Sequence, residues 1–143
     1  MQLAAAVAEA FALQGSLAKA NPGFTPRVGQ LQMAQAVAKT LSTGGQLVVE
    51  AGTGVGKTYA YLVPVLLSGR RALVSTATKA LQDQLALRDI PRLQTALGVQ
   101  ARVAVLKGRS SYLCLNRLES ARQHPAAALQ ASQLELARIV GSA

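Results

Sequence analysis

Leu47-Val-Val-Glu-Ala-Gly-Thr-Gly-Val-Gly-Lys-Thr58 is the stretch on which the reading of this chain turns. Leu47–Val49 is a short, wholly apolar and β-branched run, the pattern of a parallel strand covered on both faces. A glycine-rich loop follows, and the spacing then predicts a helix from Lys57 to Leu67, with Pro64 placed to kink it. Ala51 to Thr58 fits the Walker A pattern, with Ala51 where the strict form has its first glycine. Each position has a physical task. Gly52, Gly54 and Gly56 allow the backbone turns that aim successive N–H groups at phosphate oxygens. Lys57 brings a compact charge to the β and γ phosphates, and the Thr58 hydroxyl is a hard oxygen ligand for Mg²⁺. The start of the helix adds its positive dipole end. Gly52, Thr53, Gly54, Val55, Gly56, Lys57 and Thr58 are therefore the expected triphosphate-binding set, and Lys57 and Thr58 the expected catalytic pair. A glycine-rich turn that merely joins strand to helix is the plainer reading, but a motif set between strand and helix argues against it.

Working outward, the alternation repeats. Arg71–Ser75 and Arg102–Leu106 read as further strands, Thr78–Arg88 and Ser110–Arg122 as the helices after them. Upstream, Leu3–Ala20 reads as one amphipathic helix ending before Asn21-Pro22-Gly23, and Gln30–Leu41 as another, stopped by Ser42-Thr43-Gly44-Gly45. Pro125–Val140 is Ala-, Gln- and Leu-rich and reads as helical, without chemistry of its own. Strand alternating with helix three times implies right-handed crossovers and an α/β fold, a parallel sheet with flanking helices and an extra N-terminal helix. Three such strands with no further neighbours would leave an apolar edge and favour self-association.

Composition narrows the function classes. The chain has 143 residues, enough for one domain with a core, and 50% of them are hydrophobic, which excludes a disordered chain. Aromatic residues make up only 3%, so Ala, Leu and Val must build that core. Fifteen basic residues against six acidic ones give a net charge of +9, which implies a polyanionic partner, nucleic acid or a phosphate-rich ligand. The basic residues are scattered, so a solvated face explains them equally well on pattern alone. The single Cys114 excludes an internal disulfide framework and suits a reducing compartment. No apolar run approaches the length of a membrane span, and Glu9 interrupts an N-terminus that lacks the basic region of a signal peptide. A cytoplasmic protein without membrane partners is the expectation. On pattern alone Cys114 reads as a small buried hydrophobe, and His124 has no partner at ligand spacing.

Hydrolysis normally needs a carboxylate to hold Mg²⁺ and orient water. The acidic residues are Glu9, Glu50, Asp83, Asp89, Glu119 and Glu135; none forms an Asp-Glu pair at the end of an apolar strand after the loop. The expectation is the front part of a motor, incomplete at Ala143.

Four ordered segments carry a resemblance. Phe24-Thr-Pro-Arg-Val-Gly-Gln30, the loop through Leu62, Ser75-Thr-Ala-Thr-Lys-Ala-Leu-Gln-Asp-Gln-Leu85 and Leu106-Lys-Gly-Arg-Ser-Ser-Tyr-Leu-Cys114 together resemble the iron–sulfur branch of superfamily 2 DNA helicases, the DinG/YoaA-type, XPD-like group. The likeness covers about residues 10 to 120. It implies a RecA-like P-loop NTPase domain that binds ATP and Mg²⁺ and couples hydrolysis to translocation on single-stranded or forked DNA, in the 5′-to-3′ sense. By the same resemblance Gln30 matches a glutamine that pairs with adenine, and Arg27 sits at the family's Arg-x-x-Gln spacing. Thr76, Lys79 and Gln82 match a segment that touches the backbone of single-stranded DNA, which would give the net positive charge a purpose. Cys114 falls where the family has the first of four ligands to a [4Fe–4S] cluster, a group that one thiolate cannot hold. The implied organisation is an N-terminal helix and connector over residues 1–26, a partial helicase domain over 27–113 and the start of an iron–sulfur insertion over 114–143. Replication or repair proteins would be the partners. Two other classes remain open: a stand-alone basic module that binds nucleotide or nucleic acid without motor activity, and a small P-loop kinase, for which no acceptor pocket or lid arginines are visible.

Overall fold

The structure, a computed structural model, describes residues 2–123. The helix read over Pro125–Val140 lies outside them. The chain divides into two compact units, Met1–Val105 and a second from Leu106 onward.

In the first unit the helices are α1 (Leu3–Ala10), α2 (Ser16–Ala20), α3 (Val28–Thr43), α4 (Lys57–Ser68), α5 (Lys79–Gln84) and α6 (Ile90–Leu97). The single N-terminal helix expected over Leu3–Ala20 is thus two. The chain turns at Phe11–Gly15, and the backbone passes so close that a Cβ on Gly15 would lie 2.0 Å from the Glu9 carbonyl oxygen. Across this turn the Ser16 hydroxyl donates to the Glu9 carboxylate at 3.2 Å.

The core is where the composition demands it, built from small aliphatic side chains. α3 buries Ala34 and Ala38, one turn apart, and packs most extensively on α4, which buries Ala60, Leu62, Val63 and Pro64. Alanine on facing helices lets their axes approach closely. α1 lies across both and contributes Val7 and Ala10, with Phe11 just past its end and Leu93 of α6 in the same cluster. Phe24 sits against this cluster, its ring centroid 6.2 Å from that of Phe11.

The helix expected over Thr78–Arg88 begins as read, with the Thr78 hydroxyl accepting the Leu81 N–H at 3.2 Å as a helix cap. It does not stop at Arg88. Leu85–Asp89 forms one wide π-turn, in which the Ile90 N–H reaches the Leu85 carbonyl five residues back, and the path continues as α6. Pro91 explains the widening. Its ring crowds the carbonyl four residues earlier and it has no N–H to offer, so the turn before it opens.

The expected parallel sheet is not seen among the described residues. Among the described residues no β-ladder forms, and Leu47–Val49, Arg71–Ser75 and Arg102–Leu106 lie outside any regular element. Val48 is 96% exposed and Leu73 95%. A strand is held by backbone groups of a neighbour, so β-branched content alone cannot make one. Among the described residues the helices of an α/β arrangement are therefore present without a ladder between the apolar segments.

In the second unit a short 3₁₀ turn, Arg109–Ser111, precedes α7 (Leu115–Gln123), where one helix had been read from Ser110. The Tyr112 hydroxyl accepts the Lys107 N–H at 2.9 Å and closes the turn between them. No helix among the described residues is long and apolar enough to cross a membrane.

Candidate nucleotide-binding site

The loop from Ala51 to Gly56 leads into α4, and two of its glycines carry backbone angles that other residues resist. Gly54 has φ +79° and Gly56 φ +87°, while Gly52 lies outside that region. Gly56 is the N-cap of α4, with Lys57 and Thr58 in the first turn. The unpaired N–H groups of a helix N-terminus thus stand beside a loop whose backbone is already turned.

Two residues from the start of α3 fasten this loop. Gln30, only 5% exposed, donates through Nε2 to the Gly56 carbonyl at 2.9 Å. Arg27, the N-cap of α3, donates through Nη1 to the Gly54 carbonyl. The fit around Gln30 is tight, for a Cβ at Gly56 would come within 2.1 Å of its Nε2. Gly56 is therefore required twice, for its φ and for its lack of a side chain. The amide of Gln30 has a second N–H and its carbonyl oxygen, which is the donor–acceptor pair an adenine edge needs.

Lys57 folds back over the loop, its Nζ donating to the carbonyls of Ala51 at 2.8 Å and Gly52 at 2.7 Å. Turned backbone, helix N-terminus and lysine fit a triphosphate, and the Thr58 hydroxyl is the side chain that would ligate Mg²⁺. A cleft of about 480 Å³ opens next to this site between α2, α4 and α6. Phe24, Tyr59 and Arg92 line it, and no residue of 51–58 does.

Thr76, Lys79 and Gln82 are brought together at the start of α5. The Thr76 hydroxyl donates to the Thr78 carbonyl at 3.2 Å, and Lys79 is exposed in the first turn. Cys114 is exposed rather than buried as pattern alone had implied. No group of three or more His, Cys, Asp or Glu that could hold a metal exists among the described residues. The residues described around Cys114 do not fit a [4Fe–4S] cluster, which requires four such ligands.

Sequence reasoning missed Tyr61 and Asp89. Tyr61 lies one turn beyond Thr58 on α4. Burial pushes the Tyr61 phenol above its ordinary pKa, the Thr58 hydrogen bond acts in the opposite direction, and the charge of Asp89 adds to the rise. Asp89, 4% exposed, accepts from Gln84 Nε2 at 2.8 Å and from Arg88 Nε at 3.0 Å. The three-residue spacing of Thr58 and Tyr61 was the visible signal, since it sets two side chains on one helix face. Nothing in the sequence pointed to Asp89.

Residues 31–132 match the family described as DEAD/DEAH box helicase. The chain is 59% identical over 109 residues to the ATP-dependent DNA helicase YoaA of Escherichia coli, covering 76% of this chain and 17% of that protein. It is 50% identical over 113 residues to the YoaA protein of Haemophilus influenzae, covering 79% of this chain and 18% of that one. The ATP-dependent DNA helicase DinG of Escherichia coli is 40% identical over 125 residues, 82% of this chain and 17% of its own length. The chain thus spans less than a fifth of each of these relatives. No solved structure matches it. With the match covering well over half its residues, and the phosphate loop and its α3 anchors inside or beside it, the chain belongs to the DEAD/DEAH box helicase family.

Proposed function

We propose that this chain is the ATP-binding front part of an ATP-dependent DNA helicase of the iron–sulfur DinG/YoaA type, acting in DNA repair or replication. The observation that carries the reading is the fastened phosphate loop, with Gly54 and Gly56 turned by their own φ and held by Arg27 and Gln30. In this reading Gly52 to Gly56 present backbone N–H groups to the phosphates, and Lys57 leaves the Ala51 and Gly52 carbonyls for the β and γ oxygens. Bound Mg²⁺ would supply the neutralising charge that phosphoryl transfer needs. Gln30 and Arg27 select adenine at the far end of the nucleotide. Thr76, Lys79 and Gln82 bind the backbone of single-stranded or forked DNA, translocation runs 5′ to 3′, and the protein works in the cytoplasm.

The sheet belongs to the proposal as well. In a RecA-like domain spanning residues 27–113, Leu47–Val49, Arg71–Ser75 and Arg102–Leu106 would pair as parallel strands once neighbours are supplied. Cys114 would be a single ligand position at the start of an iron–sulfur insertion, with no step of the reaction routed through it.

The test is equilibrium binding of a fluorescent ATP analogue to this chain, with and without Mg²⁺, beside Lys57→Ala. Saturable, Mg²⁺-strengthened binding that falls at least about tenfold in Lys57→Ala is expected, since charge-assisted hydrogen bonds contribute about 1.5–3 kcal/mol. Binding that is indifferent to Lys57 would sink the reading.

A further inference from the structure

The cleft between α2, α4 and α6 is lined by side chains of a different kind from those of the phosphate loop. The chain has two Phe, three Tyr and no Trp, and two of these five, Phe24 and Tyr59, line it. Both are partly buried against the core, so each packs one side and leaves another open. Leu93, with no exposed surface, closes the bottom. The volume of about 480 Å³ falls within the range of small-molecule sites, about 300–1,000 Å³. A single benzene ring fills only about 150 Å³. The cleft therefore has room for a ring and a substituent larger than the ring.

The polar side chains of the lining have mostly donors left to offer. Thr95 gives its hydroxyl proton to the Pro91 carbonyl at 3.1 Å. The Asn21 side-chain oxygen accepts the Gly23 N–H at 3.1 Å, which leaves the two amide hydrogens. Arg92 is exposed near the start of α6 and makes no hydrogen bond or ion pair among the described residues. The Tyr59 hydroxyl has no partner among them either. No Asp or Glu lines the cleft. The Phe24 N–H donates to the Asn21 carbonyl at 2.8 Å, so the turn that carries ring and amide is already formed. Aromatic walls, free donors and one full positive charge complement a flat ring that bears an anionic group.

We propose that this cleft is a second nucleotide site, which takes one nucleoside monophosphate unit. The base stacks on Phe24 and Tyr59, the phosphate pairs with the Arg92 guanidinium, and the sugar fills the space between. Arg92 is the single basic side chain of the lining, which matches one phosphate and not three. The site is distinct from the one assigned to ATP, because none of Arg27, Gln30 and residues 51–58 lines it. A monophosphate unit of this kind occurs both as a free mononucleotide and within a single strand of nucleic acid. The recognising chemistry is the same for either source.

Equilibrium dialysis of radiolabelled thymidine 5′-monophosphate against this chain tests the site, beside binding of the fluorescent ATP analogue in Mg²⁺. Thymine is chosen because it lacks the adenine edge assigned to Gln30. Saturable binding is expected, at least about tenfold weaker in Arg92→Gln, which loses a charge-assisted pair. Tyr59→Leu should weaken it at least about fivefold through lost stacking. Arg92→Gln should leave affinity for the ATP analogue within about twofold, as for independent sites. An unlabelled oligothymidylate with hydroxyls at both ends separates the sources. If it displaces the mononucleotide the site serves a strand, and if it does not the site serves free nucleotide. Absence of thymidylate binding, or binding indifferent to Arg92→Gln, overturns the second site. Displacement by an equal concentration of benzoate overturns it too, since any aromatic acid would then serve. A parallel loss of thymidylate and ATP-analogue binding in Arg92→Gln would make the cleft part of the ATP site. Each of these failures leaves the proposed function standing, because that reading is tested at Lys57. Should Tyr59→Leu not fold, the exposed Arg92 decides alone.

Discussion

The helical layer and the three apolar segments beside it are built from similar residues and end in opposite states. Leu62, Val63, Ala34 and Leu93 are buried completely or nearly so, while Val48 and Leu73 are almost fully exposed. The difference is one of backbone hydrogen bonding more than of hydrophobicity. A helix satisfies its own N–H and C=O groups, so α3 and α4 need only an apolar face to pack. A strand satisfies nothing alone, so Leu47–Val49 and Arg71–Ser75 stay open when no ladder forms. The phosphate loop lies on the boundary between these two states. It follows an open segment, yet it is shaped, because Arg27 and Gln30 tie it to the packed side.

The sharpest way to test that contrast is to shorten a leucine on each side of it. Leu62→Ala should lower the unfolding free energy by about 2–5 kcal/mol, the usual range for a buried leucine whose site cannot collapse. Urea denaturation monitored by circular dichroism would measure it. A loss below about 1 kcal/mol would mean that the helical layer is no better packed than the open segments. Next in size is Gln30→Ala, which strips the Gly56 carbonyl of its partner and should cost about 1–3 kcal/mol. The same variant should weaken binding of the ATP analogue, since the loop loses one of its two anchors. If stability falls while nucleotide affinity holds, the loop is shaped by its own glycines and the anchor is incidental. Thr78→Ala comes third. Losing an N-cap costs about 0.5–2 kcal/mol, and here the loss should appear as earlier hydrogen exchange across α5 rather than across α3.

Legibility in the sequence followed the same boundary. α3 and the start of α4 were readable because periodicity, glycine stops and a motif agree over more than a turn. The phosphate loop was readable in residue type, although only Gly54 and Gly56 use the left-handed freedom that Gly52 was also given. Membership in the family was legible because four short motifs occur in order. The break at Phe11–Gly15 was not, since Ala- and Leu-rich pattern runs through it and only the approach to Glu9 demands a glycine. The π-turn was hidden for a different reason. Pro91 was visible, but a proline in helical pattern is read as an end, and here the helix widens and continues. The role of Gln30 toward Gly56 could not be read either, because a bond across 26 residues has no local signature. Pairing of the strands was beyond reach for the most basic reason. Pattern states what a segment would bury, and a ladder depends on what stands next to it.

The smallest expected effect carries the last test. Leu73 is 95% exposed in an open segment, so Leu73→Ser removes apolar surface that the folded chain does not bury. Its unfolding free energy should change by less than about 0.5 kcal/mol, as for other surface positions. The variant differs from wild type in another way. An unpaired apolar segment is a template for association, and a hydroxyl in place of isobutyl weakens that template. Sedimentation velocity over a range of concentrations should therefore find less self-association in Leu73→Ser than in wild type, with both equally stable in urea. Should the serine variant instead lose 2 kcal/mol or more, a cost expected of buried side chains, Leu73 is packed in solution. The sheet would then form in this chain by itself, and the contrast between the two regions would disappear.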